Sequence, residues 1–77
     1  MTHTEIIFTG PTCRCVRTSA TTYLVRAHDG RELGRLVWHT RWRKYSFTPA
    51  PGTCFDSTAL TTIGVWMRRL SRDHPQP

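Results

Sequence analysis

The spacing of the apolar residues changes once along this chain, at the segment Pro49-Ala50-Pro51-Gly52. Before this segment apolar and polar residues alternate, a period of two that is typical of β-strands with one buried face. After it, Leu60, Ile63, Met67 and Leu70 recur every three or four residues, as in an amphipathic helix. Proline cannot donate a hydrogen bond to a β-ladder, so the segment ends the last strand. The sequence therefore predicts several strands followed by one C-terminal helix.

Two of the predicted strands form a hairpin, because residues 22–28 and 32–39 flank Asp29-Gly30. This dipeptide supplies the positive φ values that a tight hairpin turn needs. Further strands are predicted at residues 5–9, at residues 13–17 and, after a turn near residues 40–42, at residues 43–48.

The predicted helix has recognisable ends. Asp56 or Ser57 can accept hydrogen bonds from its first amides, and Phe55 lies where it could pack onto Leu60 as a hydrophobic staple. Gly64 costs about 1 kcal/mol relative to alanine inside a helix, so we expect it to mark a close approach to the sheet. Ala59 and Trp66 flank the apolar stripe, and Arg68, Arg69 and Arg72 lie in the last turns, where cations complement the helix dipole.

The fold class predicted from these elements is α+β, with an antiparallel sheet of three to five strands packed on one C-terminal amphipathic helix. Its 77 residues allow a single small domain over residues 1–77, with residues 73–77 as a flexible tail. The side chains predicted to face the helix are Tyr23, Val25, Ala27, Leu36, Trp38, Tyr45 and Phe47, with Trp66 on the helix.

The chain is strongly basic, with 11 Lys and Arg against 5 Asp and Glu and a net charge of +6. Such a balance favours an anionic partner, either nucleic acid or an acidic protein surface. Residues 33–55 contain four cations and no carboxylate, and Trp42 lies among them. The residues predicted to bind are Arg26, Arg35, Arg41, Trp42, Arg43, Lys44, Arg68 and Arg72.

The three cysteines, Cys13, Cys15 and Cys54, are predicted to be free thiols of a cytoplasmic protein, since no secretory signal and no membrane-spanning apolar run is evident. A zinc site that combined them with His3 or His39 is disfavoured, because Cys-x-Cys is a weak metal signature. The four histidines have no positioned nucleophile or carboxylate nearby. We therefore expect no enzyme activity, no metal and no cofactor.

The order of a short antiparallel sheet and one packing helix, over residues 22–70, resembles the DNA-binding domains of some transposon integrases and plant ethylene-response factors. In those families arginine and tryptophan on the sheet contact the major groove. The segment at residues 41–49, followed by a glycine turn and the helical stripe, is also similar in style to short proteins of bacteriophages and prophages. That size class includes anti-CRISPR proteins, which occupy a surface of a host defence protein.

Two functions follow as hypotheses. In the first, a basic sheet face and its turn contact DNA or RNA through phosphates and base edges, with Trp42 stacking or wedging. In the second, this face or the back of the helix inhibits an acidic or nucleic-acid-binding host protein. No membrane partner is expected, and the strand at residues 5–9 could pair with a second copy to form a homodimer.

Overall fold

The computed structural model describes residues 5–73, and within them five antiparallel strands form one sheet in sequential order. The strands are β1 (Glu5–Thr9), β2 (Cys13–Arg17), β3 (Thr22–Ala27), β4 (Glu32–His39) and β5 (Lys44–Pro49), and the helix α1 (Ser57–Asp73) follows them. The predicted α+β class is therefore confirmed. His3 and the tail residues 74–77 lie outside the described residues.

The β3–β4 hairpin is confirmed, but its turn differs from the prediction. The Arg31 carbonyl accepts a hydrogen bond from the Ala27 amide at 2.8 Å, so three residues form the loop. Gly30 has a φ of 97°, whereas Asp29 has no positive φ. This is the type I turn with a glycine bulge that three-residue hairpin loops prefer. The Asp29 carboxylate accepts from the Arg31 amide at 3.0 Å, and this bond lowers the pKa of Asp29.

Strand β5 was predicted at residues 43–48 and lies at Lys44–Pro49, so it both begins and ends one residue later. Arg43 belongs to the turn, because its φ is 55° and its amide donates to the His39 carbonyl at 2.8 Å. Pro49 still pairs with Gly34. Proline is tolerated there because β5 is an edge strand and needs no amide donor on its open side.

The core lies between α1 and one face of the sheet. The predicted inward residues Tyr23, Val25, Leu36 and Tyr45 are buried, and Trp38 and Phe47 pack against them partly buried. Cys13 and Cys15 are also fully buried in this cluster, a position that the sequence pattern did not predict. A reduced cysteine behaves as a small apolar residue, so the two thiols extend the core onto β2.

The helix contacts the sheet through Ala59, Ile63, Trp66 and Leu70, all buried. Of the predicted stripe, Ile63 and Leu70 are buried and Met67 packs partly buried against the core, whereas Leu60 is wrongly placed and is 52% exposed. Trp66 and Leu60 lie on opposite sides of the line through Ile63, and the helix is rotated so that Trp66 is the buried residue of the two. The indole stacks on Phe8 at 5.8 Å. Burial of this larger apolar surface decides the rotation.

Asp56 caps the helix, as one of the two predicted alternatives. Its carboxylate accepts from the Ala59 amide at 2.8 Å, and its carbonyl accepts from the Leu60 amide at 3.0 Å. Phe55, expected to contact Leu60, instead packs edge-on against Phe47 with ring centroids 5.3 Å apart. The loop is thus fastened to β5 rather than to the exposed side of the helix.

A close approach occurs at Gly34, between β4 and β5. The close approach of the helix to the sheet that was expected at Gly64 is wrong. A Cβ on Gly34 would lie 2.5 Å from the Phe47 ring and 2.6 Å from the Thr48 carbonyl. A Cβ on Gly64 would meet nothing within 4 Å. Gly64 therefore leaves an open space beside the helix, and this space becomes part of the candidate site.

Candidate functional site

The open face of the sheet, turned away from α1, is less uniformly basic than predicted. The strand register places Val16, Leu24, Arg35 and Thr48 in one row across β2 to β5, and Thr22, Val37 and Ser46 in the next. Val16 is only 3% exposed, whereas Val37 is 36% exposed. Apolar residues thus run through the middle of the face, and its cations are spread around them.

Two of the predicted binding residues on this face already interact with other groups of the protein. Arg35 forms an ion pair with Glu32 at 3.5 Å, and Arg26 donates to the carbonyl of Gly30 at 3.3 Å. The expectation that these cations lack a nearby acid is therefore wrong for Arg35. Glu32 lies just outside the carboxylate-free stretch, three residues before Arg35, where the β3–β4 pairing shifts register between Val25 and Arg26. Exposed pairs of this kind contribute little to stability, yet they reduce the charge that is available to a partner.

Three exposed cations without a carboxylate partner in the described part of the chain lie in or directly after the β4–β5 turn, residues 40–43. Arg41, Arg43 and Lys44 are exposed, and none has a carboxylate within 4.0 Å among residues 5–73. Trp42 stands between the two arginines with 60% of its surface exposed. This cluster matches the sequence prediction most closely, because the turn holds residues that are adjacent in the chain.

Trp42 is held by a residue that the prediction did not assign to the site. The His39 imidazole stacks on the indole with ring centroids 3.9 Å apart and an interplanar angle of 10°. His39 Nδ1 is buried and has no hydrogen-bond partner among the described residues. A spacing of three residues across a tight turn is the sequence signal that could have indicated this stack. One indole face is thereby covered, and the ring is fixed in an exposed position.

Arg43 adopts a backbone conformation that L-residues seldom use, with a φ of 55°. The left-handed region costs a non-glycine residue about 1–2 kcal/mol. Glycine would occupy this turn position without that cost. The turn therefore carries an arginine where backbone preference alone favours glycine.

A groove between α1 and β5 adjoins this turn. Its volume is about 340 Å³, and its lining consists of Lys44, Tyr45, Gly64, Met67, Arg68 and Ser71. The Tyr45 amide, on the open edge of β5, donates to Ser71 Oγ at 3.4 Å. The missing side chain at Gly64 leaves the groove open. The fold thus creates a concave strip beside the exposed turn.

The groove brings together two predicted residues that the sequence placed apart. Lys44 belongs to β5 and Arg68 to α1, and both line this groove. Arg72 does not join them. It is exposed and lies 3.9 Å from Asp73, with which it forms an ion pair.

Burial makes the core phenol and thiol poor acids. It raises the pKa of Tyr45 to about 12, with a further contribution from neighbouring Tyr23. Burial also raises the pKa of Cys15 to about 12, assisted by Cys13. Cys15 is therefore a neutral core thiol at neutral pH rather than a nucleophile.

All three cysteines are free, with Cys54 exposed and the other two buried. Within residues 5–73 no cluster of three or more His, Cys, Asp or Glu side chains is placed to hold a metal ion. In the same residues, α1 lacks the length and apolar character of a membrane-crossing helix. Comparison with protein-family models, with curated proteins and with solved structures found no match to this chain.

Proposed function

We propose that this protein is a non-enzymatic nucleic-acid-binding protein, and that its interface is the β4–β5 turn together with the α1–β5 groove. The supporting observation is the run of Arg41, Arg43 and Lys44 beside exposed Trp42, with Arg68 lining the groove next to Lys44; none of these four cations has a carboxylate partner among residues 5–73. Cations in such a cluster attract phosphates and release their condensed counterions.

The chemistry of arginine favours a binding role for this turn over a role as merely solvated surface. A guanidinium offers a planar fork to phosphate oxygens and stays charged at all relevant pH values. Two such forks flank an exposed indole in the turn. Arg43 also occupies a strained backbone position, and such strain persists at functional sites when a side chain is needed there. These features support a binding role for the turn.

Direct binding measurements test the proposal. Fluorescence anisotropy with a labelled duplex and a labelled single strand of mixed sequence, at 50 and 200 mM salt, should show binding that weakens steeply with salt. The slope of log affinity against log salt is about 0.9 per phosphate contact on duplex DNA and about 0.7 on single strands. Absence of binding to both probes at low salt would refute the proposed function.

Paired charge-removal variants locate the interface. R41Q/R43Q removes two turn cations, and R17Q/R31Q removes two exposed arginines elsewhere, so that both variants have the same net charge. We expect the turn variant to bind more weakly and to lower the salt slope by about one for each phosphate that it no longer neutralises. R26Q/R35Q tests whether the open face contributes to binding. We expect it to lose less nucleic-acid affinity than R41Q/R43Q does, because both guanidinium groups have protein partners. Equal losses in all three variants would refute this placement of the site.

A protein-binding inhibitor is the second candidate, favoured by the apolar residues on the open face. Ile6 is 52% exposed and Val37 is 36% exposed, on a face that no element covers among residues 5–73. Such a surface could dock on a host protein. Substitution V37K should abolish that interaction and leave nucleic-acid binding at the turn unchanged, as measured by pull-down and anisotropy respectively.

A further inference from the structure

The stacked pair of His39 and Trp42 has the form of a platform for an unpaired base. His39 covers one face of the indole at 3.9 Å, and the 60% exposure of Trp42 leaves the other face open to solvent. An indole already fixed by its neighbour loses little conformational freedom when a ring stacks on its open face. Every nucleobase presents such a ring, and base–aromatic stacking tolerates any sequence.

The α1–β5 groove begins two residues after Trp42 in the chain. Lys44 lines it and follows Trp42 by two residues, so their Cα atoms are at most about 7 Å apart. Arg68 lines the groove from the helix, and Met67 and the open position at Gly64 complete it. Cations on both walls of a concave strip can track a phosphate backbone. The groove therefore begins within two residues of the base platform along the chain.

A double helix fits this arrangement poorly. Bases in a duplex are already stacked on both faces, so covering Trp42 would require one base to leave the stack at a cost in free energy. A two-stranded ribbon can enter the major groove, but β4 and β5 are not a free ribbon here. The Trp38 amide donates to the Thr21 carbonyl at 3.2 Å, and α1 packs beside β5. The remainder of the sheet flanks the hairpin almost to its tip.

We infer that the site takes a single-stranded nucleic acid, with one unpaired base stacked on Trp42 and the adjoining phosphates held by Lys44 and Arg68 in the α1–β5 groove. This inference rests on the proposed function and narrows its ligand class. The stack and the phosphate contacts are common to DNA and RNA. Experiments with both kinds of strand are therefore needed to distinguish them.

The first test compares a dT15 strand, a U15 strand and a 15-base-pair duplex by anisotropy at 100 mM salt. We expect at least one of the two strands to bind more tightly than the duplex. Substitution W42A should weaken strand binding by roughly 5- to 150-fold, the range seen when one base stack is removed. Its effect on duplex binding should be small, because the duplex offers no unpaired base. W42F should retain part of the strand affinity, since phenylalanine keeps an aromatic face.

The second test blocks the groove without changing charge. Gly64→Gln places a side chain in the groove, whereas Val65→Gln places the same side chain at the next helix position, which does not line it. Glutamine favours a helix more than glycine does, so Gly64→Gln should not unfold the protein. We expect Gly64→Gln alone to lower strand affinity. Far-UV dichroism and thermal unfolding verify that both variants are folded.

The outcomes separate this inference from the proposed function. Tighter strand binding that depends on Trp42 and on an open groove supports both. Equal or tighter duplex binding, or equal losses of strand and duplex affinity in W42A, overturns the single-strand inference and leaves nucleic-acid binding intact. Unchanged strand affinity in Gly64→Gln overturns the assigned phosphate path. If the protein binds a protein partner but no nucleic acid, both the inference and the proposed function fail.

Discussion

Two glycines provide a sharp test of how α1 and the sheet are packed, because alanine should have opposite effects at the two positions. At Gly64 the new methyl group would meet nothing within 4 Å, and the helix would lose its least favourable interior residue. Alanine is favoured over glycine there by about 1 kcal/mol. At Gly34 the same methyl group would lie 2.5 Å from Phe47 and 2.6 Å from the Thr48 carbonyl.

The clash at Gly34 has no easy relief. The Phe47 ring already packs against Phe55 at 5.3 Å, and the Thr48 oxygen belongs to the backbone of the paired strand. Overpacking of this kind costs about 1–3 kcal/mol. Gly34→Ala should therefore destabilise the domain, while Gly64→Ala stabilises it.

Melting temperatures convert these free energies into an observable. Unfolding entropy is about 2.1 cal/mol/K per residue, which for 77 residues gives about 0.16 kcal/mol/K. A change of 1 kcal/mol then shifts the melting temperature by about 6 °C. We expect about +6 °C for Gly64→Ala and a decrease of about 6–19 °C for Gly34→Ala, from thermal unfolding followed by dichroism, with urea unfolding as an independent measure.

The opposite result at either glycine would contradict this packing of α1 on the sheet. A lower melting temperature for Gly64→Ala would mean that Gly64 faces a packed surface, and the α1–β5 groove would then be closed. An unchanged or higher melting temperature for Gly34→Ala would mean that the Phe47 ring does not lie directly against Gly34 of β4. Each variant serves as the control for the other, since both make the same chemical change.

Three further predictions concern stability. Burial raises the pKa values of Cys15 and Tyr45 to about 12, so their protonated forms stabilise the fold below the unfolded pKa values. The free energy of unfolding should fall as pH rises from about 9 towards 12, by about 1.4 kcal/mol per pH unit for each proton. Urea unfolding at pH 8 and 10.5 measures this fall, and equal stability at the two pH values would contradict the prediction. Arg43→Gly should raise stability by about 1 kcal/mol through relief of the positive φ while weakening nucleic-acid binding, and lower stability by urea unfolding would refute the strain. Asp56→Ala should cost about 1 kcal/mol by loss of the helix cap, whereas Ser57→Ala should cost little; equal thermal shifts would contradict the assignment of Asp56 as the cap.

The elements of this fold could be predicted because their signals are local. The bounds of β1, β2 and β4 agree with the predicted segments, since alternation and turn residues act within a few positions. The part of the candidate site at residues 40–43 was predictable for the same reason. A turn keeps Arg41, Trp42 and Arg43 together whatever the rest of the chain does.

The groove could not be predicted, because it depends on how the helix is rotated. Leu60 and Trp66 were both expected on the buried side of the helix, and only the folded structure, with Trp66 stacked on Phe8, shows that Leu60 is exposed. That rotation turns Gly64 and Arg68 towards β5 and brings Arg68 beside Lys44. The pairing of Arg35 with Glu32 also depends on side-chain geometry within the folded strand.

The order of strands and helix, the hairpin at Gly30 and the basic turn around Trp42 follow from the amino-acid sequence alone, because hydrophobic period and turn chemistry are properties of neighbouring residues. Which cations remain unpaired, which side of α1 is open and where a groove forms depend on the packing of the folded chain. These features arise from contacts between residues far apart in the chain. Burial of the larger apolar surface selects among helix rotations that a periodic pattern leaves equivalent.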